Sequence, residues 1–80
     1  MANIVIGGTG EYEVDPRDDI QKAFKRLKHT CEYCGGVATL GLNKITLHKA
    51  YEGKFILDYL DGKLYRITRI LEKVIWEAQP

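Results

Sequence analysis

Asp15-Pro16-Arg17-Asp18-Asp19-Ile20-Gln21-Lys22-Ala23-Phe24-Lys25-Arg26-Leu27-Lys28-His29-Thr30-Cys31-Glu32-Tyr33-Cys34-Gly35-Gly36 is the stretch on which the fold turns. Ile20, Phe24, Leu27, Cys31 and Cys34 recur at helical spacing and fall within about 80° of one another on a wheel, with Ala23 alongside. Lys22, Lys25, Arg26 and His29 occupy the opposite side. Asp15 offers a side-chain cap, Pro16 suits a first helical position, and Asp18 and Asp19 suit the positive end of the helix dipole. Gly35-Gly36 supplies the stop. The spacing predicts one amphipathic helix from Pro16 to about Cys34, with both cysteines packed on its apolar stripe.

On either side the pattern is β. From Asn3 to Val14, Ile4-Val5-Ile6 is β-branched, Gly7-Gly8-Thr9-Gly10 is a turn signal, and Tyr12 and Val14 follow between acidic residues. That reads as a hairpin. From Val37 to about Thr68, Ile45 and Leu47 alternate with Thr46 and His48, and Phe55, Leu57 and Tyr59 alternate with Ile56, Asp58 and Leu60. Glu52-Gly53 reads as a turn. Asp61-Gly62 is a strong hairpin signal, because both positions tolerate positive φ. After it the pattern is double. Leu64, Ile67, Leu71, Val74 and Ile75 also share a helical face. The preferred reading is a strand to about Thr68 followed by a short C-terminal helix, with one long helix from Asp61 or a further strand as alternatives. The expected fold is α+β: an N-terminal hairpin, one helix packed on a small antiparallel sheet, and a C-terminal short helix or strand.

Eighty residues are expected to make one domain, residues 1–80, built on a single core. Twelve basic side chains against 11 acidic ones leave a net charge of +1, which argues against a strongly basic nucleic-acid module. No run approaches the roughly 20 apolar residues a membrane helix needs. The first residues lack the pattern of a secretory signal. The expectation is a cytoplasmic chain with no membrane association, in which two cysteines are not a disulfide framework.

Cys31-Glu32-Tyr33-Cys34-Gly35 resembles the start of a zinc knuckle, in which two thiolates grip one tetrahedral ion. A second ligand pair is missing. On a helix His29 points about 160° from Cys31, so only His48 remains. A redox pair belongs at a helix N-terminus, not near its C-terminus. No metal or cofactor is expected. Ile4 to Gly10 resembles the first strand and glycine turn of Rossmann nucleotide-binding proteins, but Glu11-Tyr12-Glu13 stands where the third glycine belongs. The spacing Gly7-x-x-Gly10 also resembles the GxxG loop of KH domains, which joins two helices rather than following a strand. A hairpin turn accounts for both.

The acid pairs Glu11/Glu13 and Asp18/Asp19 fit strand alternation and capping better than catalysis. No nucleophile and base stand at a suggestive spacing, so no enzyme is expected. Two surfaces stand out as binding candidates. One is the basic helix face of Lys22, Lys25 and Arg26. The other is Tyr51, Tyr59, Tyr65 and Arg66 on neighbouring strands, with Trp76 beyond, since tyrosine, tryptophan and arginine concentrate at interfaces. The expected function is a small protein-binding module that occupies a partner's surface, of the kind phages use as inhibitors and toxin systems as immunity proteins. That comparison rests on size and composition alone. The alternative is a nucleic-acid-binding module using the basic helix face and the sheet tyrosines, with zinc at the cysteine pair. The sequence does not fix the oligomeric state, and a homodimer is compatible with it.

Overall fold

The structure is a computed structural model and describes residues 3–7, 10–49, 53–69 and 73–78. Strands β1 (Ile4–Ile6) and β2 (Tyr12–Val14) form the expected hairpin, with Gly7 and Gly10 at positive φ and Gly10 N–H donating to the Gly7 carbonyl. Helix α1 spans Ile20–Tyr33. An antiparallel meander follows in sequence order: β3 (Val37–Leu40), β4 (Lys44–Lys49), β5 (Gly53–Leu60), β6 (Lys63–Arg69) and β7 (Lys73–Glu77). The α+β expectation holds.

The helix begins later than expected. Asp19, not Asp15, is the N-cap, and its carboxylate accepts from the Lys22 N–H at 2.8 Å. Asp15 is engaged elsewhere. Its carboxylate takes the Arg17 N–H, Nε and Nη2, while its carbonyl accepts from Asp18, so Pro16 and Arg17 lie in a preceding turn. At the other end, Gly36 N–H reaches the Cys31 carbonyl and Gly35 N–H reaches that of Glu32, with Gly35 at φ +84°. These crossed bonds form a Schellman cap. Cys34 is therefore the cap residue, outside the helix and exposed, not on the core stripe. Cys31 is buried as expected, beside Leu27 and Ala23.

The stripe lies on β3 and β4, with β2 against its flank. Antiparallel partners share a sheet face, so Ile45, Leu57 and Ile67 stand in one buried row and Leu47 and Phe55 in the next. Tyr12 closes this core edge-on to Phe55, ring centroids 6.4 Å apart. On the other face Thr39, Thr46, Ile56 and Thr68 line up uncovered by the helix.

Of the C-terminal alternatives, the strand and not the preferred short helix is found among the described residues: residues 73–77 are strand β7 on β6. The helical spacing of Leu64 and Ile67 has a β explanation. Tyr59 pairs with Leu64 and Asp58 with Arg66, so Tyr65 is an extra residue on β6. A bulge of this kind lets side chains three apart point the same way. A second irregularity, between Ile67 and Thr68, places Ile75 as the extra residue on β7. Asp61 and Gly62 take φ +53° and +79°, as the two-residue hairpin turn requires.

Candidate functional site

The expected tyrosine surface does not form as a unit. Tyr51 lies outside the described residues. Tyr59 is a correction: it is only 4% exposed and belongs to the core. Its pKa is pushed up to about 12, first by burial and then by the charges of Asp18 and Asp19 at the helix start. Tyr65, the bulge residue, is 39% exposed, with the Arg66 guanidinium 5.1 Å from its ring centroid. Arg66 also bonds Glu77 across β6 and β7 at 2.7 Å, which holds the guanidinium in place and raises its pKa. Trp76 is half-buried, opposite Ile67.

Lys22, Lys25 and Arg26 are exposed on α1, as the wheel predicts. Asp18 stands 3.7 Å from Lys22 and 3.9 Å from Arg26, which moderates the positive field of that face. Such surface pairs add little to stability. The last helical turn carries no basic residue, so dipole complementarity does not account for this face.

A different surface is the better candidate. From Tyr33 to Asn43 no residue carries a charged side chain, although 29% of the chain is charged. This run ends α1, forms β3 and turns into β4. Tyr33 is 86% exposed, Val37 63% and Leu42 92%. β3 is an edge strand, bonded to β4 alone among the described strands. Gly41 N–H donates to the Lys44 carbonyl at 2.8 Å, and the register pairs Thr39 with Thr46 and Val37 with His48. Antiparallel ladders alternate, so Val37, Thr39 and Gly41 turn their backbone groups inward to β4. Ala38 and Leu40 then turn their N–H and carbonyl groups outward. Natural edges are commonly guarded by lysine, proline or a bulge. This one has no such guard. The opposite edge, β7, has Lys73 and Glu77 in its sequence and the irregularity near Ile67. The uncharged run was visible in the sequence, but its exposure depends on β3 being an edge.

Beneath this edge the cysteines have separate fates. The Cys31 thiol is fully buried, 4.0 Å from the His48 carbonyl. Cys34 faces solvent. Among the described residues no three Cys, His, Asp or Glu side chains are grouped to hold a metal ion. Near Cys31, Lys49 pairs with Glu11 at 3.2 Å, its Nζ 6.0 Å from the centroid of Tyr12. The Tyr12 hydroxyl is buried without a hydrogen-bond partner, and burial above all, with the adjacent Cys31 thiol, raises its pKa well above the ordinary tyrosine value. Tyr12 and Cys31 are fully buried here, while the Lys49–Glu11 pair is only partly covered at the rim. Among the described residues no helix is long and apolar enough to cross a membrane.

No protein-family model matches the chain, and no curated protein or solved structure matches it, so the edge itself carries the functional argument.

Proposed function

We propose that this chain is a small, non-catalytic, cytoplasmic protein-binding module that acts by occupying a partner's surface through the β3 edge. One observation carries the reading: an uncharged edge strand with outward backbone groups at Ala38 and Leu40, flanked by exposed Tyr33, Val37 and Leu42. An extended partner segment can extend the sheet there. Main-chain hydrogen bonds supply affinity, and the flanking side chains supply selectivity. An inhibitory role of the phage or immunity type fits a small domain that offers an exposed strand edge to a partner.

Burial of Tyr59 removes part of the stacking platform that a nucleic-acid reader would use, which favours the protein reading. The test is quantitative capture from an extract of the parent cell, using wild-type bait and the double variant Val37→Lys, Leu42→Lys. The reading expects a stoichiometric protein partner on the first bait and its loss on the second. Equal capture by both baits contradicts the reading, as does salt-sensitive binding to oligonucleotides with no protein retained.

A further inference from the structure

We infer that the β3 edge pairs with a second copy of this chain, antiparallel, about a two-fold axis through Thr39. The inference rests on the reading of this edge as a binding surface and names an occupant for it. A two-fold axis sets a strand against itself, so a charged strand would meet its own charge. Tyr33 to Asn43 carries none.

The register is set by which backbone groups are open. Ala38 and Leu40 face outward, and an axis at Thr39 brings Ala38 of one copy opposite Leu40 of the other. Each N–H then donates to the opposing carbonyl, and the two related pairs close the ladder. Side chains fit the same register. Positions summing to 78 are opposed, so Val37 meets Gly41 and Leu42 meets Gly36. The exposed apolar residues at 37 and 42 thus fall against residues with no side chain to obstruct them. Thr39, exposed on the uncovered face, meets its own copy, and threonine pairs are favourable across strands. The two sheets become one of ten strands, five from each copy. Its outer edges are both β7, so the assembly closes at two copies.

Sedimentation equilibrium of the full chain from about 10 µM to about 1 mM tests this. The wild type is expected to reach twice 9.1 kDa. Thr39→Lys places two ammonium groups across the axis and is expected to weaken the dimer at least about tenfold. Because Thr39 is exposed, its circular dichroism should match the wild type; Val37→Lys serves as a second variant on another exposed position. Leu60→Lys, on an exposed leucine of β5 away from the β3 edge, is expected to remain dimeric. A wild type monomeric throughout the range overturns the inference. So does a dimer that survives both Thr39→Lys and Val37→Lys, or one that Leu60→Lys also dissociates. A monomeric wild type leaves the capture experiment above untouched, and equal capture by both baits leaves the dimer untouched, so the two readings fail separately.

Discussion

A β-carbon on Gly36 would stand 2.7 Å from the Sγ of Cys31. It would stand equally close to the His48 carbonyl oxygen, so the end of α1 and β4 approach too closely at this point for any side chain. Gly36→Ala is therefore expected to cost about 1–3 kcal/mol through overpacking. Gly35 differs in kind. Its surroundings are open but φ is +84°, so Gly35→Ala is expected to cost about 1 kcal/mol through backbone strain. Urea unfolding separates the two cases. Cys31→Ala should recover part of the Gly36→Ala loss, because it removes one of the clashing atoms, and should recover none of the Gly35→Ala loss.

The Tyr12 hydroxyl is buried without a hydrogen-bond partner. Removing a hydroxyl that stays unsatisfied in the fold relieves a desolvation penalty of about 1–3 kcal/mol. Tyr12→Phe is expected to leave stability unchanged or raise it, whereas Tyr12→Ala should lose about 3–5 kcal/mol by emptying the space beside Phe55. Chemical denaturation measures both. A clear loss in Tyr12→Phe would mean that the hydroxyl bonds the neighbouring Cys31 thiol.

Much of the fold was legible because local chemistry and global packing agree there. Leu27 and Cys31 sit on the predicted stripe, and Asp61-Gly62 forms the predicted turn. Two kinds of feature were not legible. Asp15 and Asp19 are equally good caps by residue type, and only the competing bonds from Arg17 assign them. Leu64 and Ile67 mimic helical spacing because Tyr65 is an inserted residue, and periodicity cannot distinguish a bulge from a turn of helix. The candidate site was harder still. Alternation placed Tyr59 on a strand but not on a face, and an exposed edge follows from strand order, which no local pattern in this sequence specifies.

Three groups shape the expected pH dependence, Tyr12 and Tyr59 on the alkaline side and Asp15 on the acid side. The Tyr59 pKa rises from 10.0 to about 12 on folding, so the neutral ring contributes stability that is intact below pH 10.0 and lost as pH climbs toward 12. Asp15 moves the other way, from 3.8 to about 2, because Arg17 bonds its carboxylate. Its contribution is present above pH 3.8 and lost as pH falls toward 2. Thermal melts should therefore weaken at both extremes. Tyr59→Phe should remove the contribution of Tyr59 to the alkaline loss.

The two exposed surfaces should separate in their salt response. Lys25→Glu and Arg26→Glu are expected to alter the association rate of a partner and its salt dependence, with a small effect on the dissociation rate. Val37→Lys and Leu42→Lys are expected to raise the dissociation rate at least about tenfold, because they act on the contact itself. Surface plasmon resonance at two ionic strengths distinguishes these outcomes.

Amide hydrogen exchange, resolved by residue along β3, tests the central claim most directly. In the monomer, the Thr39 amide, bonded to β4, should exchange slowly and the Ala38 and Leu40 amides fast. On complex formation, protection at Ala38 and Leu40 is expected to rise at least about tenfold, as newly bonded strand amides do. A complex that forms while Ala38 and Leu40 stay unprotected, with protection changes confined to the face of Lys22, Lys25 and Arg26, would contradict the account.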